Sequence, residues 1–598
     1  MEKKLVADHI FDFFSKKGIK QAFCLTGGGA MFLNDALAKN KEIITAFSHH
    51  EQASAMASVA YTKLTNLPSI VVPTTGCGGT NCITGLLDAW QDNLPCIFIS
   101  GQVNKEQTTY NSSTKIRQFG VQEANIVEMV QSITKYSVMV NDPNEIFFHL
   151  EKAYHLATTG RKGPVWLDIP LDVQNKFVTR ENKKYYQPSE IKFSGHQELF
   201  KVQDLLNNSS RPIILAGNGI KLSESQIQLA EFIEKHNIPV VTTFLGLDLL
   251  PHDHKLNIGR VGIKGNRAAN FAMQNSDLII SIGTRLSVPT TGYKYDYFAR
   301  EAKLVVVDID SEEHKKDTVK IDLFIEKDAK EFLCCDFEYF TDEAWVEKCI
   351  FWKNKWSTRN ELEMLESGER DKKISIYDFL ESLSDSAPNN GVFISDAGSA
   401  YYTTCQSLKI KKGQRHVTPG AQAEMGFTIP AVLGCYFATD DKTTIIGITG
   451  DGSFQTNLQE LQTIIHYKIP AKIFILNNDG YLSIRTTQRK FFNDRFLGTS
   501  KDDGVSFPDT KRIAKAYGYK YIKINKKNHL DQKILKALNS KKPVICEVFC
   551  KKWDMIIPTL SSRKNDDGTI TSKPLEDMFP FLNREEFYDN MLINPLEE

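Results

Sequence analysis

The sequence predicts an α/β protein made of three doubly wound parallel-sheet domains, and three stretches predict it. In residues 443–481 an apolar, β-branched run from Ile445 to Ile448 stops at Gly450-Asp451-Gly452. Apolar residues then recur at Leu458, Leu461, Ile464 and Ile465, the spacing of one helical face, and a second apolar run, Ile473 to Leu476, ends on Asn477-Asn478. Strand, loop, helix and strand in that order make a parallel crossover unit. The same alternation fills residues 1–178, with apolar runs at 19–25, 69–72, 96–100 and 165–169. It returns after Arg211, with runs at 212–216, 239–243, 277–282 and 303–310.

Length and composition bound the rest. A chain of 598 residues implies three or four domains. Lys plus Arg equals Asp plus Glu at 73 each, so no global field favours nucleic acid or an anionic membrane as a partner. No apolar run approaches the ~20 residues of a membrane helix, and the N-terminus reads as an amphipathic helix, not a signal peptide. Eleven cysteines without a C-x-x-C pair suit small buried hydrophobes in a reducing compartment, and a cytoplasmic protein is expected.

Taken in order, residues 1–178 form the first expected domain. Thr26-Gly27-Gly28-Gly29 and Thr74-Thr75-Gly76-Cys77-Gly78-Gly79-Thr80-Asn81 each follow a strand and precede a helix, where glycine lets backbone approach a flat ligand. Between them His49-His50-Glu51-Gln52 opens a helix rich in small residues. The charged stretch 180–196 reads as a linker. The middle domain, 197–336, ends strands on Gly217-Asn218-Gly219, Gly283-Thr284-Arg285 and Asp308-Ile309-Asp310, turns compatible with a nucleotide but not a G-x-G-x-x-G fingerprint. Residues 336–372, with Trp345, Trp352 and Trp356, read as a linker that packs partly as helix. The third domain, 373–555, carries Asp396-Ala397-Gly398-Ser399, Glu424-Met425-Gly426-Phe427 and the unit described first. The tail, 556–598, is polar and then amphipathic, and is expected to be a surface strap or a lid.

The loop chemistry of the third domain suits a metal-bound diphosphate. Asp451 offers a hard oxygen ligand, Asn478 a neutral one, and the Gly480 carbonyl a third, in keeping with octahedral Mg2+. Glycines beside Asp451 and the amides of Ser453 and Phe454, placed at a helix start, suit an anion.

Asn477-Asn478 beginning 26 residues after Asp451 resembles the magnesium and diphosphate motif of thiamine diphosphate (ThDP) enzymes. Residues 27–173 resemble the pyrimidine-binding domain of acetolactate synthase, through Gly27-Gly28, His50-Glu51-Gln52, Thr75 to Asn81, Gly101-Gln102-Val103, Val121-Gln122-Glu123 and Gly163 to Pro170. The resemblance covers almost the whole chain. It implies that Glu51 hydrogen-bonds the aminopyrimidine, with His50 and Gln122 as further catalytic groups. Gly27, Gly28, Thr75, Gly76, Asn81, Ala397, Gly398, Ser399, Gly452 and Ser453 would line the cofactor, and Met425 would bend it. It further implies Mg2+ on Asp451, Asn478 and Gly480, a homodimer or homotetramer with sites between subunits, and either FAD or nothing in the middle domain. The implied reaction is decarboxylation of a 2-oxo acid, ending in aldehyde release or carboligation.

Departures from acetolactate synthase lie in the acceptor region. Thr487 stands where that family has tryptophan, Val121 where it has phenylalanine, and Leu171 where it has lysine. Arg485 is a candidate clamp for a second carboxylate or a phosphate, with Arg117 and His49 as lesser ones. The pattern Ser483-Ile484-Arg485-Thr486-Thr487-Gln488 is similar to homologues that accompany bacterial surface-polysaccharide genes. The alternatives are a true acetolactate synthase and a non-catalytic homologue.

Overall fold

The computed structural model describes residues 3–596 except 181–183, 189–197, 365–372, 565–566 and 568. Three six-stranded sheets, parallel throughout, organise the chain, with helices on their faces. Much of the expected linker at 180–196 lies outside the described residues.

With strands numbered in chain order within each sheet, the first sheet (Gln21–Cys24, Ile44–Phe47, Ile70–Val72, Ile97–Gln102, Tyr136–Met139, Val165–Pro170) runs 2-1-3-4-6-5. The third (Gly391–Ser395, Arg415–Val417, Thr444–Gly450, Lys472–Asn477, Lys520–Ile524, Val544–Phe549) repeats that order. The middle one (Pro212–Ala216, Val240–Thr242, Asn257–Arg260, Leu278–Ile282, Lys303–Asp308, Leu323–Glu326) runs 3-2-1-4-5-6. Strand order reverses beside strand 1 in every sheet, which opens a crevice at the carboxyl ends of strands 1 and 3, or 1 and 4 in the middle sheet. Gly27 to Gly29, Gly76, Gly217-Asn218-Gly219, Gly283, Gly398 and Gly450-Asp451-Gly452 emerge at such crevices, while Gly426 follows strand 2 and Gly480 strand 4 of the third sheet.

The strands that sequence periodicity missed include sheet-edge strands. Ile44–Phe47 and Tyr136–Met139 border the first sheet, and Leu323–Glu326 the middle one; each has only one fully buried residue. A strand covered on one side only needs no continuous apolar run.

The first and third domains share one core. Helix Glu51–Thr65 packs against Thr428–Phe437, and their alanines and valines join the cluster that holds Phe98, Trp166, Ile394 and Ile473. Residues 336–372 pack partly as helix, as expected: on Glu343–Lys355 and just beyond it, Trp345, Trp352 and Trp356 are buried in the middle-domain core, so this aromatic face is structural. The described tail packs as a strap. Leu575, Leu582 and Phe587 enter that same core, while Arg267, buried and paired with Glu361, binds the carbonyls of Met578 and Pro580. Its start is tied to the third domain instead, Ile557 by Tyr377 and the Pro558 carbonyl by Gln406.

Candidate active site

The crevice of the third sheet is closed by hydrogen bonds between its own loops. Asp451 follows strand Thr444–Gly450; its Oδ1 accepts from the Gly452 amide at 2.9 Å and its Oδ2 from the Gly480 amide at 3.0 Å. Burial pushes this carboxyl up to about 6, against the pull of the Gly480, Gly452 and Asn478 amides and of Arg485. A cation beside it would offset that desolvation. Gly480, at φ +125°, is where a side chain is excluded twice, by conformation and because a Cβ would lie 2.0 Å from the Thr499 carbonyl.

Two buried polar atoms on the segment that follows strand Lys472–Asn477 have no hydrogen-bond partner among the described residues: Asn478 Oδ1 and Ser483 Oγ. A Cβ built on Gly398, the first residue of helix Gly398–Ser407, would meet that same Ser483 Oγ at 3.4 Å. Buried orphan atoms are costly, so their presence beside an anionic carboxyl and a helix start argues for an absent ligand. The donor set fits the expected group. Asp451, Asn478 and the Gly480 carbonyl would hold Mg2+, and Ala397, Gly398, Ser399 and Ser483 would face the diphosphate.

One expectation here needs correction. Ser453 does not open an α-helix: Ser453–Gln455 is a 3-10 turn, and the α-helix begins at Glu460. Its hydroxyl is spent within the protein, donating to Asp396 at 2.6 Å and accepting from the Gly426 amide at 2.8 Å. Asp396, buried and also bound by Thr449, thus ties strands 1 and 3 of the sheet together, and through Ser453 it holds the loop that carries Met425. Met425 itself is 42% exposed in the single chain and is not core.

In the first domain the crevice gathers the expected residues. Glu51 is 7% exposed at the first turn of Glu51–Thr65, and its Oε2 accepts from Asn81 Nδ2 at 3.0 Å. Thr75 donates to the Gly101 carbonyl, and Gly76, at φ +58°, abuts Gln122 so closely that a Cβ would lie 1.8 Å from the Gln122 carbonyl. Gln122 has φ +60° in turn, so both loops hold strained turns against each other. Gly27 packs on Thr74, and Gly28 faces open space. His50 is the helix cap, its Nδ1 accepting from the Gln52 amide at 3.1 Å, which gives it a structural task that the sequence did not show.

Sequence inspection missed the residues that join the first and third domains within the chain. Glu460 accepts from the His49 amide at 2.9 Å, and Asn457 donates to Gln52 Oε1 at 3.1 Å. Both lie just beyond Asp451 and bolt the start of the Glu51 helix to the third domain. Their partners are some 400 residues away, so no local pattern marks them.

The expected substrate residues do not gather. Arg485 is 1% exposed and donates only to backbone carbonyls, so it is no carboxylate clamp. Thr487 is exposed on Leu482–Phe492 and donates to the Ser483 carbonyl. Arg117 is exposed and Val121 is 82% exposed, on a loop that one chain leaves uncovered.

A cavity of about 380 Å3 lies at the strand 1 and 4 crevice of the middle sheet, walled also by Arg161 of the first domain and Tyr401 of the third. Asn218, Gly219, Gly283, Thr284, Asp308 and Lys327 line it. Size and position are those of a small-molecule site.

Comparison with known proteins agrees with this layout. Residues 4–129 match the thiamine pyrophosphate enzyme N-terminal TPP binding domain, 199–334 the central domain, and 396–548 the C-terminal TPP binding domain. The probable acetolactate synthase large subunit of Methanocaldococcus jannaschii is 32% identical over 567 residues, 91% of each chain. The acetolactate synthase large subunit of Lactococcus lactis is 30% identical over 565 residues, 92% of this chain and 94% of its own. The chloroplastic acetolactate synthase of Arabidopsis thaliana is 29% identical over 588 residues, covering 94% of this chain and 84% of its own. With three domain matches spanning most of its length and a relative 32% identical over 91% of each chain, the chain belongs to the family of thiamine pyrophosphate enzymes.

Proposed function

We propose that the protein is a Mg2+- and ThDP-dependent enzyme that decarboxylates a 2-oxo acid and either releases an aldehyde or joins the remaining fragment to a second carbonyl. The observation that carries this reading is the pair of buried oxygens, unpartnered among the described residues, Asn478 Oδ1 and Ser483 Oγ, on the segment tied to Asp451 through the Gly480 amide. When bound, ThDP supplies the nucleophilic carbon and the electron sink for loss of carbon dioxide. The chain's own residues bind, orient and handle protons. Asp451 and Asn478 position the metal end. Asn81 holds Glu51 Oε2, which leaves Oε1 to take up or give back a proton on the pyrimidine side. Thr75, Gly76 and Gln122 form the wall beside it, and Met425 supports the bend.

Glu51 and Asp451 of one site are assigned to different copies of the chain. Supporting this are the large apolar side chains left bare near the first-domain loops: Ile116 at 41%, Phe119 at 61% and Val121 at 82% exposure. A second copy would cover them and bring Arg117 and Val121 to a site. Sedimentation should show a dimer or a pair of dimers, and full turnover by a monomer would contradict the assignment.

A second reading, acetolactate synthase with FAD in the middle cavity, is favoured by the names of the relatives and by that cavity's place at the strand crevice. Thr487, Val121 and Leu171 weigh against it. The role in sugar or acyl modification for surface polysaccharide rests on the 483–488 pattern. The test is carbon dioxide release from a panel of 2-oxo acids with ThDP and Mg2+, with product masses and the flavin absorbance recorded. Aldehyde or a mixed ligation product without flavin colour supports the first reading. Acetolactate from pyruvate by a yellow protein supports the second, and no release from any acid sinks both.

A further inference from the structure

Arg485 was expected to meet substrate and instead lies behind the metal loop. Its NH1 donates to the Asp479 carbonyl at 2.5 Å, and its NH2 to the carbonyls of Asn478 and Lys552, both at 2.8 Å. Three backbone carbonyls from two segments therefore converge on one planar fork, a geometry that lysine cannot reproduce. The loop so gripped is strained: Asp479 has φ +62° and Gly480 φ +125°. Such a conformation persists only where its surroundings hold it, and here they do so from two sides. Arg485 pulls on the carbonyls, while the Tyr481 amide donates to the Thr499 carbonyl at 2.9 Å, on a turn closed by Asp503.

The clamp is costly for stability. Arg485 is buried, its Nε has no hydrogen-bond partner among the described residues, and no carboxylate hydrogen-bonds it. Asp451 is near enough to feel its charge, but its two oxygens accept from the Gly452 and Gly480 amides. What the clamp secures is the backbone: the Asn478 carbonyl is held by the fork, while the Asn478 side-chain oxygen Oδ1 stays buried and unpartnered among the described residues.

We propose that Arg485 is a positioning residue that presets the Asn478–Gly480 loop for Mg2+, so that the ion meets its ligands already placed. The proposal rests on the assignment of Mg2+ and ThDP to this crevice. Pre-placed ligands spare the ion the cost of ordering the loop, so loss of the fork should appear in metal affinity.

The experiment measures half-saturating Mg2+ for ThDP binding by titration calorimetry, on the full-length protein, with the melting temperature of the cofactor-free protein measured alongside. The variants are Arg485→Lys, Arg485→Met and, as a control, Arg489→Met. Arg489 stacks on the same Trp553 ring as Arg485, its guanidinium carbon 3.5 Å from the ring centre, and the carboxylate it pairs with is Asp494. Arg485→Lys, which keeps the charge and is the variant expected to fold, should need about tenfold more Mg2+ or beyond, Arg485→Met at least as much, and Arg489→Met the wild-type amount. Wild-type Mg2+ dependence in Arg485→Lys, with only a lowered melting temperature, overturns the proposal and leaves a structural arginine. Failure of the wild-type protein itself to bind ThDP with Mg2+ sinks the site assignment instead.

Discussion

Glu51→Gln should retain ThDP binding and lose more than ~10²-fold in turnover, the low end of what a positioned acid-base group contributes. The substitution keeps size, and its amide oxygen can still accept from Asn81 Nδ2, the bond that holds Glu51 now at 3.0 Å. It also leaves the cap made by His50 and the two bolts to the third domain, His49 to Glu460 and Gln52 to Asn457, with no lost partner. What disappears is an oxygen able to carry a proton. The separation of effects is the point of the experiment: calorimetry should give a ThDP affinity within a few-fold of wild type while carbon dioxide release collapses. Unchanged turnover would remove Glu51 from the chemistry. Loss of binding together with turnover would mean that the carboxylate supports the crevice and not the reaction.

The site was legible in the sequence where its parts are local. Asp451 and Gly76 stand out by the glycines and strands beside them, while Asn478 does so by its spacing from Asp451 and Glu51 by the resemblance of residues 27–173. The fold was legible for the same reason, since central strands covered on both faces read as unbroken apolar runs. Edge strands such as Tyr136–Met139 lack that signal.

Residues whose meaning depends on distant partners were misread or missed. Arg485 resembles a clamp by its charge and by its place after Gly480, but its burial depends on Lys552 and Trp553, which the chain reaches only after another strand pair. Asp396 takes its role from Thr449 and Ser453, which bind it. Glu460 takes its role from His49, some 400 residues away. The substrate pocket was least legible, because Arg117 and Val121 sit on a surface that one chain does not close.

Asp451→Asn should weaken Mg2+-dependent ThDP binding by more than ~10²-fold, beyond the 10–100-fold range of residues that only support a ligand. Two effects add. The amide removes the one formal negative charge among the three groups assigned to the ion, and hard cations depend on ligand charge. It also disrupts the crevice, because Asp451 accepts from Gly452 with one oxygen and from Gly480 with the other. An asparagine offers one oxygen and one NH2, so one amide must face a donor in place of an acceptor. If the Gly480 amide loses its partner, the loop that carries Asn478 loses its side-chain tether to Asp451 and is held by Arg485, the Thr499 carbonyl and Lys552, which donates to Asp479 Oδ2. Neutralising Asp451 also removes the buried charge that burial has already pushed up to about 6, so the cofactor-free variant should melt no lower than wild type by more than a few degrees. Calorimetric titration of Mg2+ at fixed ThDP measures the first effect and thermal melting the second. Half-saturation at the wild-type Mg2+ concentration would show that the ion is held elsewhere, and the assignment of Asp451, Asn478 and Gly480 as its ligands would fall.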